Sequence, residues 1–225
     1  PGPNIPELSS VSSEVQLLGL FWKRRVTDGF SGEDKRGFLS KVTQAMVRKR
    51  SLSVRTDEVY TTGENAVWAS LLSTEILIPV STTGQRVTFT HNILFDYAVS
   101  ILLIEDEPDK CIKFITDDPS RPLFLRPSLN YYFTRLWHDA PNLFWRAFWY
   151  ILPSTDIHLR LFARLLPTSV IANEARKIDQ LTPLLDSLAQ TKPIPNKAVQ
   201  ELSLLHALRP IQIEREELSG QILDT

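Results

Sequence analysis

The 225-residue chain carries 25 Lys or Arg against 26 Asp or Glu, a formal charge of -1, and 43% of its residues are hydrophobic. That is ample material for a folded core, and a charge near zero provides no global attraction to nucleic acid or an anionic membrane. A single cysteine, Cys111, excludes an internal disulfide and a multi-thiolate metal site and accords with a reducing, cytoplasmic compartment. Apolar runs such as Ala98–Ile104 are too short to span a bilayer, so no membrane partner is expected, and the Pro1-Gly2-Pro3 start reads as that of an excised piece.

Residues 1–10 are proline-rich and weakly patterned, and read as a linker. Ser12 or Ser13 is placed to cap a helix in which Val15, Leu18, Trp22 and Val26 recur at helical spacing, widened by Leu17 and Phe21. Lys23-Arg24-Arg25 falls in its last turn, where cations complement the helix dipole. A second helix is expected from Glu33 to about Arg50, with Phe38, Val42, Ala45 and Met46 on its apolar face. Ser51–Val54 is short and extended in character. A third helical region opens near Asp57 and continues through Asn65–Ser73.

The period then changes. Ile76–Val80 and Arg86–Thr90 are β-rich runs joined by Ser81–Gln85, with Gly84 supplying the permissive backbone of a hairpin loop. Helical spacing resumes after His91 through Ile93, Leu94, Tyr97, Ala98, Ile101 and Leu102. Helices, one β-hairpin and a closing helix make a winged-helix domain over residues 11–105, and Glu105-Asp106-Glu107-Pro108 marks the boundary. Residues 106–225 read as an all-α, repeat-like domain of short helical hairpins, with segments at Asp109–Thr116, Arg126–Asp139, Pro141–Leu152, Asp156–Leu165, Val170–Lys177, Pro183–Gln190 and Asn196–Leu208. Pro153, Pro167, Pro193, Pro195 and Pro210 punctuate them. The fold class is therefore mainly α.

Signatures of catalysis are missing. There is no G-x-x-x-x-G-K-[ST] phosphate loop, no G-x-G-x-x-G and no G-x-S-x-G, and the four histidines, His91, His138, His158 and His206, lack metal-ligand spacing. Phe114–Asp118 looks like an apolar strand ending in acids but reads as a helix end and turn. His138-Asp139 is explained by a helix terminus before Pro141. No enzymatic activity, metal or cofactor is expected of this chain by itself.

The segment from Arg86 to Leu103, RVTFTHNILFDYAVSILL, is the most informative. A strand delivers His91 into the first turn of a helix, where unpaired backbone amides and the positive dipole end favour an anion such as phosphate. A neutral His91 could donate to a phosphate oxygen there, and local capping or packing beside Thr90 is the plainer alternative. Tyr97 shares the apolar stripe and is expected in the core. Asp96 lies off it and is expected to meet a cation from the first two helices, an interdomain contact being the alternative.

In its central part, F-x-H-x-x-x-F-D-Y-A, this segment resembles the winged-helix motif of STAND NTPases, the signal-transducing ATPases of the NACHT and NB-ARC kind. The matching positions are Phe89, His91, Asp96, Tyr97 and Ala98, and the upstream run Leu17–Val26 is similar to what precedes the motif in bacterial, defence-like members. The resemblance covers about the first half of the chain. It implies that the histidine contacts the β-phosphate of ADP in the resting state, locking the winged helix against an upstream nucleotide-binding domain that carries ADP or ATP with Mg. It further implies that the helical region is a sensor or transmitter for an unidentified protein or ligand. The phosphate loop and the Mg-binding acids lie upstream in the family.

Two rival readings stand beside it. A winged helix can read DNA with its third helix and wing. Here the region Asp57–Thr74 has no Lys or Arg and the wing offers only Gln85 and Arg86, so DNA contact is not expected. The other rival is a helical protein-interaction scaffold. The dense aromatic block Tyr131–Tyr150, with Phe144/Phe148 and Trp145/Trp149 four residues apart, reads as a central buried helix, as Cys111 reads as a small buried apolar residue.

Overall fold

The structure, a computed structural model, describes residues 11, 13–29, 31–80, 84–118, 120–151 and 161–189. The protein is mainly helical with one small antiparallel sheet. Its contacts divide into two compact units. The first runs to Glu105 and takes in Leu123–Tyr132, and the second comprises Asp106–Pro122 and the chain from Phe133 onward.

In the first unit, helix α1 spans Glu14–Trp22 and is capped by Ser13, whose hydroxyl accepts from the Gln16 amide at 3.3 Å. The basic triplet does not close an ordinary last turn: Lys23–Thr27 is π-helical, ending with the Asp28 amide on the Lys23 carbonyl at 2.6 Å. Val26, within this wider turn, is fully buried. Helix α2, Gly32–Lys49, follows at once, and Gly32 is required because a Cβ there would collide with the Thr27 carbonyl. Its buried face is Phe38, Leu39, Val42, Ala45 and Met46, and Arg50 ends it in the left-handed region at φ 50°.

Strand β1, Ser53–Arg55, leads through the short helix α3, Thr56–Val59, and a 3-10 turn at Thr62–Glu64 into α4, Asn65–Ser73. Thr61 and Glu64 form a capping box before α4. Strands β2, Leu77–Pro79, and β3, Arg86–Phe89, complete the sheet in the order β1-β3-β2, all antiparallel. The expected two-stranded hairpin is thus joined by the extended residues after α2. Val54 opposite Val87 and Leu77 opposite Phe89 put the apolar side chains on one face, each no more than 2% exposed. Thr56 fastens the returning wing, its hydroxyl donating to the Gly84 carbonyl at 2.7 Å, and Gly84 has the positive φ of 62° expected of it. Residues 81–83 of the loop lie outside the described residues. Helix α5, Asn92–Leu102, buries Leu94, Phe95, Tyr97, Ala98 and Val99 against α1 and α2. This order of helices, strand and hairpin is the winged-helix arrangement.

The second unit is helical throughout its described residues. Helix α6, Pro108–Thr116, begins on proline, whose missing N–H costs nothing at that position, and buries Cys111 and Ile115. The short helix α7, Arg121–Phe124, precedes α8, Arg126–Asp139, and the division between the units falls inside α8, after Tyr132. Helix α9, Pro141–Ile151, lies against α6 and against α10, Leu161–Glu174. The aromatic block is core: Phe144, Trp145 and Phe148 are buried, with the Trp137 and Phe144 rings edge to face at 5.1 Å.

Pro167 does not separate two helices as the sequence suggests. It sits inside α10, which runs unbroken from Leu161 to Glu174. A proline there costs roughly 3 kcal/mol in lost bonding and clash. Leu166, Thr168, Val170 and Ile171 around it are all buried, and that packing carries the helix across the break. A 3-10 turn at Ile178–Leu181 and helix α11, Thr182–Ala189, follow. The expected segment Asn196–Leu208 lies outside the described residues, as do residues 152–160.

Candidate functional site

The candidate site is the junction between β3 and α5, and three backbone devices fix it. Glu75, just after α4, adopts a left-handed conformation at φ 56°. The Thr90 amide donates to the Ile76 carbonyl at 3.1 Å and the Thr90 hydroxyl donates to the Glu75 carbonyl, so the end of β3 is stitched to the turn that opens β2. Then His91, still extended at φ -133° and ψ 141°, takes the capping position of α5 rather than a place in its first turn.

The imidazole of His91 is exposed and makes no capping hydrogen bond to the helix it precedes; only its carbonyl is engaged, accepting from the Leu94 amide at 3.0 Å. No acidic side chain lies in the first turn of α5, so nothing there offsets the positive end of the helix dipole. The remaining motif residues turn inward. Phe89 is 2% exposed with its ring 6.0 Å from that of Phe95, and Tyr97 is 6% exposed with its ring 5.7 Å from Trp22. Ala98 is fully buried. Gly19 makes room for this packing, since a Cβ there would stand 3.2 Å from the Tyr97 hydroxyl. The motif therefore splits by function: Phe89, Tyr97 and Ala98 hold α5 in the core, and His91 alone faces outward.

Asp96 does not meet a cation from α1 or α2. Its carboxylate accepts from the buried Ser128 hydroxyl of α8 at 2.7 Å, and burial pushes the carboxyl above its ordinary range while that bond pulls it down. One helical turn on, Tyr131 lies beside Glu14 at the start of α1, and burial together with the Glu14 and Asp96 charges raises the phenol well above its ordinary range. Sequence reasoning missed Ser128 and Tyr131 because they lie beyond the expected boundary at residue 105 and carry no local signal of pairing.

Elsewhere His138 Nε2 lies 3.0 Å from Glu174 Oε2, joining the ends of α8 and α10. Among the described residues no group of three or more His, Cys, Asp or Glu is assembled that could hold a metal ion, and no helix is long and apolar enough to cross a membrane. His158 and His206 lie outside the described residues. An imidazole beside a helix N-terminus is suited to touching one phosphate. Compared with known families, with curated proteins and with solved structures, the chain matches none.

Proposed function

We propose that this chain is a regulatory, signal-transducing portion of a STAND-type ATPase, in which the winged-helix unit holds a neighbouring nucleotide-binding domain in its resting state and the helical unit senses or transmits. The observation that carries the reading is the placement of His91. A histidine used for capping or packing would turn back on its own helix, whereas this one stands exposed at the N-terminus of α5 and makes no capping bond. Its ring and the first amides of α5 form an anion-facing edge, and the stitched turn at Glu75 and Thr90 holds that edge in place without the anion.

On this reading the chain's own residues perform no reaction. ADP or ATP with Mg belongs to the upstream domain, and hydrolysis with it. His91 contributes one hydrogen bond to a phosphate oxygen, present in the closed state and absent in the open one, and so biases a two-state equilibrium. A cytoplasmic location fits the buried thiol of Cys111 and the nucleotide supply. DNA contact has less support, because the exposed face of α4 carries Ala66, Ala69 and Ser73 and no cation.

The test is His91→Ala in the intact ATPase. Loss of a hydrogen bond to a charged group should speed ADP release roughly tenfold to a hundredfold and raise basal activity. ADP retention and basal activity both unchanged would mean that His91 has no part in the lock.

A further inference from the structure

Lys35 breaks the pattern of the helix that carries it. In α2, Lys35, Leu39, Val42 and Met46 recur at helical spacing and form one buried stripe. Lys35 is 7% exposed and the other three are fully buried. Phe38 and Ala45 flank the stripe on one side and Thr43 and Val47 on the other, so the lysine stands at the middle of the buried face and not on its rim. An apolar residue is what that position calls for, and burying a cation without a counter-charge costs free energy. Among the described residues Lys35 has no ion pair and no side-chain hydrogen bond, whereas Lys41 is bridged to Glu64 and Lys49 to Glu58. Its ammonium is nonetheless not sealed from solvent.

Side chains on a helix lean toward its N-terminus and lie over the preceding turn, which for Lys35 is Ser31 and Gly32. That turn opens an 18-residue helix, and no side chain caps it. Ser31 is of the type that usually caps, but it is left-handed at φ 62° and its hydroxyl makes no capping bond. The buried lysine thus brings a positive charge to amides that need an acceptor. A phosphate group suits both, because its several oxygens can accept from the ammonium and from adjacent amides together. Glu33 and Asp34, the exposed acids of this turn, lie off the Lys35 stripe, where they oppose an anion without occupying its place.

We propose that the first turn of α2 binds a single phosphate group, held by the Lys35 ammonium and the amides that open the helix. The inference goes beyond the nucleotide-lock reading and does not depend on it. One ammonium and one helical turn, with two acids nearby, give a Kd on the order of 1 mM for inorganic phosphate.

Thermal melts of the full chain in phosphate and in chloride of equal ionic strength test it, with amide NMR spectra to place the anion. Phosphate at about 20 mM, well above that Kd, should raise Tm and shift the amides of Gly32, Glu33 and Asp34 most. Lys35→Met keeps the length of the side chain and removes its charge. It should melt as high as the unmutated chain in chloride, or higher, and bind phosphate at least tenfold more weakly. Lys113→Met, at an exposed position in the second unit, should leave binding intact. Glu33→Gln should tighten it several-fold, and His91→Ala should leave the α2 shifts unchanged, so failure here and failure of the nucleotide lock are told apart. If Lys35→Met alters the circular dichroism spectrum, Lys35→Gln replaces it, with the same loss of binding expected. ADP used in place of phosphate identifies the source: tighter binding at the same amides assigns the group to a nucleotide, equal or weaker binding to free phosphate, and either upholds the site. Phosphate that shifts no amide of the first turn, or a Lys35→Met chain that binds it as well as the unmutated one, would overturn the proposal.

Discussion

Burial pushes the Asp96 carboxyl above its ordinary value of 3.8, and the Ser128 hydroxyl only partly offsets that. The sign of the consequence follows from linkage. A folded-state value above the unfolded one means the fold binds the proton more tightly, so the contribution of Asp96 is fully present below the unfolded value and is lost as pH rises through the folded one. At pH 7 the half-buried carboxylate is a burden relieved by removing its charge. Asp96→Asn keeps an oxygen that accepts from Ser128, and should leave Tm at pH 7 equal or higher while flattening its pH dependence on the side above the ordinary carboxyl value. Thermal melts of the two chains from pH 4 to pH 7 measure it, and a variant markedly less stable at pH 7 with an unchanged profile would contradict the assignment. Ser128→Ala acts the other way, stripping the carboxylate of its donor, and should cost about 1.5–3 kcal/mol.

At the scale of elements, what the sequence discloses depends on length and on locality. Helices Gly32–Lys49, Arg126–Asp139 and Pro141–Ile151 were legible because an apolar stripe persists over several turns. Strand β1 has three residues, too few for alternation to register, and its strandedness comes from pairing with β3 more than 30 residues on. Pro167 misleads for the opposite reason: a local rule says break, and tertiary burial overrides it. In the candidate site, Phe89, His91 and Tyr97 could be read from one contiguous motif, whereas the partner of Asp96 comes from a distant helix. The two glycines of α2 make the same contrast testable. At Gly32 a Cβ would strike the Thr27 carbonyl, a backbone atom that can move only by disturbing the π-helical turn. Gly32→Ala should therefore lower stability by about 1–3 kcal/mol. Gly37 lies mid-helix with nothing within 4 Å of its would-be Cβ, so Gly37→Ala should raise stability by about 0.5–1 kcal/mol. Urea unfolding of both variants decides, and shifts of the same sign would refute the steric account.

For the whole molecule, the division of the chain differs from the one its sequence suggests, and the difference has a measurable cost. The polar run Glu105–Pro108 looks like a clean boundary because composition changes there. The winged-helix unit nevertheless recruits Leu123–Tyr132 from beyond it. Phe124 sets its ring 6.0 Å from Phe95, Ser128 bonds Asp96, and the Tyr132 hydroxyl donates to the Glu105 carbonyl at 3.1 Å. Leu125, Leu129 and Tyr132 are each no more than 1% exposed. A fragment ending at Glu105 forfeits all of these, and burial of three such side chains is worth on the order of 5 kcal/mol, a large part of the stability of a small domain. Such a fragment should melt well below one ending at Asp139, which keeps α8 whole, or fail to fold. The full-length helix also spares the exposed backbone that a cut after Tyr132 would leave. Circular dichroism melts of fragments ending at residues 105 and 139 compare the two directly. Equal melting temperatures would show that the winged-helix unit is complete by Glu105, and the packing on Phe95 and Asp96 would then be a contact that the unit's own stability does not need.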